Sequence, residues 1–222
     1  MSLLKKIVIF GAGAYAKIII DLIKSSTEYC IFGLIDKVLP IHHMVYGYEI
    51  LGDESILLEF LNEVYGGVVA IGDNVERKKL VEKVKKINPN FQFVSVIHPS
   101  AIVSRYAKIN EGTVVMAGAI INCYSFIGEH CIINTNSSVD HDCFLGDYAS
   151  IATGATLGGN VKVGEYSAIS LGVNVIDSIN IGEHTLIGAG STVVRDISPF
   201  VVADGLPAKK IRTRAIGEKY IS

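Results

Sequence analysis

The 222-residue sequence contains no tryptophan, five prolines and four cysteines, and only 19% of it is charged. Each scarcity excludes something. Cys30, Cys123, Cys131 and Cys143 form no C-x-x-C pair, and each lies in an apolar stretch. That pattern predicts reduced, buried thiols, and the protein is expected in the cytoplasm. Charge of one sign is missing too: 20 Lys and Arg oppose 22 Asp and Glu, a net charge of −2. With a pI near 6.3 and no basic block, nucleic acid is not an expected partner. The longest apolar runs, at residues 7–10, 68–71 and 114–117, fall far short of the roughly 20 residues a membrane span needs. No cleavable signal fits ahead of the strand-like residues 7–10.

Apolar and small residues are in surplus. Half of the chain is hydrophobic, its mean hydropathy is +0.41, and it holds 22 glycines. Such a chain is globular, and too rich in glycine for a helical bundle. The apolar surplus belongs in a core or between subunits.

Counting in sixes from Ile97 to Val193 meets Ile, Val or Leu at 17 positions in succession. Four residues after each aliphatic comes a column that is mostly small, as in Ala101, Ala107, Thr113, Ala119, Ser125, Cys131, Ser137 and Cys143. A period of six fits neither the 3.6 of a helix nor the 2 of a strand. It suits a solenoid whose coils each have three short flat faces. A coil is then 18 residues, and residues 97–198 supply a little under six coils.

The first 95 residues read differently. Residues 6–10 form a strand, Gly11-Ala12-Gly13-Ala14-Tyr15-Ala16 a glycine-rich turn, and a helix runs to about Ser25. A second strand, 30–35, ends at Asp36. A helix is expected over 53–64 with Asp53 as N-cap, a buried strand over 67–71, a charged helix opening at Gly72-Asp73-Asn74 and reaching about Lys86, and a last strand over 91–96. Strands alternating with helices argue a small parallel α/β sheet. Glycines at 11 and 13 let the backbone approach a diphosphate at a helix N-terminus, and Asp36 stands where a dinucleotide fold binds a ribose. That would suit NAD, but 95 residues are too few for a full dinucleotide domain, so a mononucleotide diphosphate fits better.

The combination is more specific than either half. G-A-G-x-x-x-K at Gly11 to Lys17, Ile35-Asp36, A-I-G-D-N at Ala70 to Asn74, hexapeptide coils carrying Asp140-His141-Asp142, and G-L-P-A-K at Gly205 to Lys209 resemble the sugar acetyltransferases of the PglD and NeuD type. The resemblance covers nearly the whole chain. It implies a Rossmann-like nucleotide-sugar-binding domain over 1–95, a left-handed parallel β-helix over 96–198, and a tail over 199–222 packing near the CoA site. It further implies a homotrimer with active sites between subunits, acetyl-CoA as co-substrate, and no metal. The substrate would be a nucleotide-linked amino sugar, plausibly a 4-amino-4,6-dideoxyhexose made for a bacterial surface glycan or glycoprotein.

Residue by residue, the resemblance makes His141 the general base and Asp142 its orienting carboxylate. The nucleotide sugar would meet Gly11, Gly13, Ala14, Tyr15, Lys17, Asp36, Lys37, Asp73 and Asn74. The cofactor would meet Gly158, Gly159, Gly172, Ala189, Pro207, Lys209 and Lys210. The glycines and Ala189 read equally well as packing residues of the repeat. Two departures bear on the acceptor: Ala14, Tyr15 and Ala16 replace the family's usual Gly, His and Gly, and Lys37 stands where uridine binders often carry a second Asp. The base is therefore not tied to uracil.

Of the other histidines, His130 and His184 sit fourth in their hexads with no flanking pair of acids, and His98 precedes Pro99; all three are expected to be structural. Cys143 falls in the small column and reads as buried filler, so direct attack by the amine is expected, its oxyanion met by a backbone N–H near Gly158 or Gly159. The H-x-x-x-x-H pair of a γ-class carbonic anhydrase and the G-x-G-T-R loop of a nucleotidyltransferase are both absent. One base serves an amine or a hydroxyl, which leaves O-acetylation of a sialic-acid-like sugar open. A non-catalytic sugar-binding module would keep its function without His141.

Overall fold

The computed structural model describes residues 4–219. Its N-terminal part is a five-stranded sheet in the order β3-β4-β2-β1-β5, from β1 (Lys5–Phe10), β2 (Tyr29–Ile35), β3 (Met44–Val45), β4 (Tyr48–Gly52) and β5 (Gly66–Val69). All neighbours are parallel except the β3–β4 hairpin. Ile7, Val8, Ile9 and Phe10 are all fully buried, as a strand covered on both faces must be. Helix α1 (Ala14–Ser25) covers one face with Ala16, Ile19, Ile20, Leu22 and Ile23. Helix α3 (Asn74–Ile87) buries Asn74, Arg77, Val81 and Val84, spaced by three or four along one side. Asp73 caps it, its Oδ1 accepting from the Val75 and Glu76 N–H groups at 3.0 Å each.

The expected helix over 53–64 is shorter. Asp53 does cap it through the Ser55 N–H, but the segment is a 3-10 turn, Glu54–Ile56, followed by α2 (Leu57–Phe60). The Phe60 carbonyl then accepts from both Glu63 and Val64, closing the helix so that the chain can enter β5. The strand expected over 91–96 is also broken: Phe93 bridges to Gly67 beside β5, while Val96–Ile97 already belongs to the solenoid.

From Val96 to Val193 the chain is 17 two-residue strands, each ending on one of the counted aliphatics. Partners are 18 residues apart throughout, as in Ile120 with Ser138 and Ile121 with Val139. Three parallel faces result. The first holds Val96–Ile97, Val114–Val115, Ile132–Ile133, Ser150–Ile151, Ala168–Ile169 and Leu186–Ile187; the second runs from Ile102–Val103 to Thr192–Val193; the third runs from Lys108–Ile109 to Asn180–Ile181. The aliphatic column and the small column fill the interior together, and Ile121, Ile127, Val139, Leu145 and Ile151 are fully buried.

Every corner from residue 112 to residue 190 places its fourth hexad residue in the left-handed region, with φ between 50° and 72°. Glycine occupies some of these positions, but Tyr, His, Asn, Asp and Ser occupy the others, and no β-branched residue does. A terminal hairpin, Val201–Gly205 with Ala208–Thr213, extends the first face by pairing Val202 and Ala203 with Leu186 and Ile187.

The N-terminal part docks on the first face and on the corner between the third and first faces. Its α1 residues share a core with Val94, Val96, Val114 and Met116, and Phe10, Phe91 and Phe93 share another with Tyr148 and Tyr166. Arg77 fastens the junction. Its buried guanidinium donates to the carbonyls of His130 (2.8 Å), Ile71 (3.0 Å), Gly72 (2.9 Å) and Tyr148 (3.0 Å), and to Asn74 Oδ1 (2.7 Å).

Candidate active site

His141 lies at the corner between the second and third faces, after Ser138–Val139 and before Phe144–Leu145. Two carboxylates hold it from opposite sides. Asp140 Oδ1 accepts the His141 backbone N–H at 2.7 Å and an Asn122 side-chain N–H at 2.8 Å, which fixes the turn. Asp142, in the left-handed conformation at φ 57°, brings Oδ2 to 2.8 Å from His141 Nδ1. The hydrogen bond to Asp142 raises the imidazole above its ordinary pKa, and the charges of Asp140, Asp142 and Asp177 add to that. Nδ1 is thereby held as the donor nitrogen, which leaves Nε2 as the acceptor. More than half of the His141 side chain is exposed.

Nε2 lies over Gly159 of the next coil, where an added Cβ would come within 2.6 Å of it. Gly159 is thus a glycine because the imidazole occupies the side-chain position. At Gly158 an added Cβ would approach Asp177 Oδ1 to 2.3 Å. The expected oxyanion role does not survive for either N–H: Gly158 donates to the Val175 carbonyl at 2.9 Å and Gly159 to Asp177 Oδ1 at 2.7 Å. Cys143 is buried, donates from Sγ to the Gly158 carbonyl, and has its thiol pKa raised chiefly by that burial, so it is filler as expected. Cys131 is buried likewise, but Cys30 and Cys123 are only half-buried, unlike the expectation for all four.

Residues 18 apart stack along this corner. Above His141 come Gly159, Asp177 and then Arg195, which lines a recess of about 240 Å³ with Lys209 and Lys210 of the terminal hairpin. Pro207 forms the exposed tip of that hairpin, while Gly172 and Ala189 lie at exposed corners between the first and second faces. No side-chain atom approaches the Cβ position of Gly172 within 4 Å. Asn122, Asp177 and Arg195 were not anticipated, although the 18-residue interval from His141 points to the last two.

The remaining expected residues gather at the carboxyl ends of β1, β2 and β5. Gly11, at φ 102°, Asp36 and Lys37 line a cleft of about 230 Å³. Asp36 itself is engaged: Oδ2 accepts from the Ala12 N–H at 2.9 Å and Oδ1 from Val38 at 2.8 Å, locking the glycine turn to the end of β2. Gly13 caps α1 with its Cβ direction open, and Ala14 begins the helix. Tyr15 faces the first coil face across a cavity of about 450 Å³ that Gly72, Asn134 and Ser150 also line. Lys17 Nζ sits 5.1 Å from the centre of the Tyr46 ring.

Asn74 is a correction. It is buried, its amide donates to the Tyr166 and Ser167 carbonyls at 3.2 Å each, and its Oδ1 accepts from Arg77 and Ser150. It joins the two parts of the chain and has no face toward the cleft. Asp73 spends its Oδ1 on the α3 cap. His130 and His184 are structural, standing in a column of stacked rings with Tyr148, Tyr166 and Phe200 at centroid spacings of 4.5–5.4 Å. Glu111, Glu129 and His130 bring ligand atoms within 4.8 Å of one another, but Lys85 already pairs with Glu111 at 3.3 Å.

A coil of hexapeptides with a carboxylate-held histidine at an exposed corner, preceded by a glycine-turn α/β unit, defines a hexapeptide-repeat acyltransferase with an N-terminal α/β domain. Residues 6–84 match the PglD N-terminal domain family. The perosamine N-acetyltransferase of Caulobacter crescentus, solved with CoA and GDP-perosamine as a histidine-to-asparagine variant, superposes with a TM-score of 0.87 at 38% identity over 95% of this chain and 98% of that one. The acetyltransferase domain of PglB from Neisseria gonorrhoeae, solved with acetyl coenzyme A, gives 0.86 at 31% identity over 94% and 100%. The UDP-N-acetylbacillosamine N-acetyltransferase of Bacillus subtilis is 37% identical over 117 residues, 51% of this chain and 52% of that protein, so the match spans about half of that relative. The chain belongs to the PglD and NeuD type of sugar acetyltransferases, and its coil is their left-handed parallel β-helix.

Proposed function

We propose that this protein transfers the acetyl group of acetyl-CoA to the amine of a nucleotide-linked amino sugar, with His141 as general base. The observation that carries the reading is the Asp142–His141–Gly159 arrangement, a base with one nitrogen fixed by a carboxylate and the other turned over a glycine that leaves room for it. The amine attacks the thioester carbonyl as Nε2 takes its proton, the tetrahedral oxyanion collapses, and the imidazolium returns the proton to the departing CoA thiolate. No acyl-enzyme is involved, because the thiol beside His141, Cys143, is buried and hydrogen-bonded.

Acetyl-CoA lies along the same corner in this reading. From His141 to Arg195 is three coils of about 4.8 Å each, roughly the length of an extended pantetheine arm. Arg195, Lys209 and Lys210 then meet the phosphates. The nucleotide sugar occupies the cleft at Gly11, Gly13, Ala14 and Asp36, with Tyr15 and Lys17 toward the sugar.

A single chain does not complete the site. His141 stands at the corner opposite the first face, which the chain's own nucleotide domain covers, so the acceptor reaches it from a second copy. Exposed Ile102, Tyr106, Tyr124 and Phe144 flank that corner and supply an apolar contact for a homotrimer. Dependence on acetyl-CoA and four free thiols support a cytoplasmic location.

The test is thiol release from acetyl-CoA with GDP-, UDP- and dTDP-linked amino sugars beside His141→Ala. That substitution is expected to cost on the order of 10²–10⁴ in rate with the fold retained. Mixing His141→Ala with Gly13→Asp, which puts a charge in the phosphate cradle, is expected to restore part of the activity. Full activity in His141→Ala, or activity of a monomer, would overturn the proposal.

A further inference from the structure

The relatives leave the base of the nucleotide undecided, since one is named for a UDP-sugar and another was solved with a GDP-sugar. We infer that the N-terminal cleft selects guanine, read by the Glu54 carboxylate together with the Lys83 ammonium, an inference that rests on the nucleotide-sugar reading above.

The cleft beginning at Gly11 and Asp36 continues between the end of β2, the 3-10 turn and α3. Ile35, Val38, Ile71 and Leu80 give its lining an apolar part suited to the face of a flat ring, beside the charged Lys37, Glu54, Glu76, Lys79 and Lys83. Glu54 lines the cleft and is only 5% exposed. Acids are rarely buried so deeply unless something meets their charge. Lys83 Nζ donates to Glu54 Oε2, and among the described residues no hydrogen bond reaches Oε1. The half-exposed Lys83 side chain has room to move. A second pair, Lys79 with Glu76 at 2.9 Å, stands on the same helix and is satisfied within itself.

An acceptor beside a donor in a partly apolar cleft discriminates among bases. Guanine presents N1–H and N2–H as adjacent donors with the O6 acceptor next to them, which complements a carboxylate with an ammonium at its side. Uracil and thymine present one N3–H between two carbonyls, so one carbonyl oxygen would face the carboxylate. Adenine would turn its ring acceptor N1 toward it.

Calorimetric titration of the full chain with GDP, UDP, dTDP and ADP tests this. GDP is expected to bind about tenfold or more tightly than each of the others. Glu54→Gln is expected to remove most of that preference while UDP affinity changes by no more than about twofold. Should Glu54→Gln fail to fold, Lys83→Met probes the same pair from its exposed partner, with the same loss expected. UDP or dTDP binding as tightly as GDP would overturn the guanine assignment and leave the nucleotide-sugar reading intact. An unchanged GDP preference in a folded variant would overturn the roles of Glu54 and Lys83. If no nucleoside diphosphate binds, the nucleotide-sugar reading itself fails, and this inference with it.

Discussion

Two corners of the same coil carry histidines eleven residues apart and do opposite things with them. At the corner between the second and third faces, His141 is exposed, is held by Asp142, and has its pKa raised by that hydrogen bond. At the corner between the third and first faces, His130 is 1% exposed, lies edge-on to Phe93 and stacked on Tyr148, and burial pushes its pKa down to about 3. Their places in the hexad differ by one, His130 being the left-handed fourth residue and His141 the third, before the left-handed Asp142. Another part of the chain also covers one corner and not the other, and that cover turns a titratable side chain into a packing one.

The contrast is broken most severely at Gly159. Gly159→Ala places a methyl where Nε2 stands, and with the fold intact its kcat is expected to fall roughly 100-fold, readable by thiol release and circular dichroism together. Asp142→Asn is expected to lower kcat/KM by roughly 10- to 100-fold. Because the carboxylate raises the imidazole, its loss also moves the acidic limb of the pH profile to lower pH; a limb that stays in place would assign it to another group.

On the covered side the readout is stability. Arg77→Met removes the donor to carbonyls of both parts of the chain and is expected to cost about 3 kcal/mol in denaturant unfolding. The mildest change is His130→Phe. The folded state holds His130 neutral while the unfolded chain binds a proton below its ordinary value of 6.5, so native stability is full above that value and falls as pH drops from 6.5 toward 3. With Phe at this position thermal unfolding near pH 7 is expected to change little, and the decline below pH 6.5 to flatten. A decline of unchanged slope would place its origin in other groups.

Much of this contrast was legible in advance, and unevenly so. His141 with its flanking acids stood out, and the aliphatic column located each solenoid strand to the residue. Asn74 was misplaced because A-I-G-D-N reads as a ligand turn; its amide instead meets carbonyls 92 and 93 residues further along the chain. Arg77 was missed because one arginine in a helix of Lys and Glu looks like a solvated face. The 3-10 turn that aims Glu54 into the cleft looked like part of a longer helix.

The sequence by itself determined the coil, because a β-helix is stabilised by each hexad stacking on its equivalent 18 residues away, a nearly one-dimensional interaction that leaves a periodic trace. It also determined the chemistry of the exposed corner, since Asp140, His141 and Asp142 are adjacent in the chain. Only the tertiary structure decided which face the N-terminal domain covers, hence that His130 is buried and His141 stands away from the N-terminal cleft. Those outcomes depend on Phe93, Asn74 and Arg77 meeting the coil across long separations, and such aperiodic contacts leave no local pattern to read.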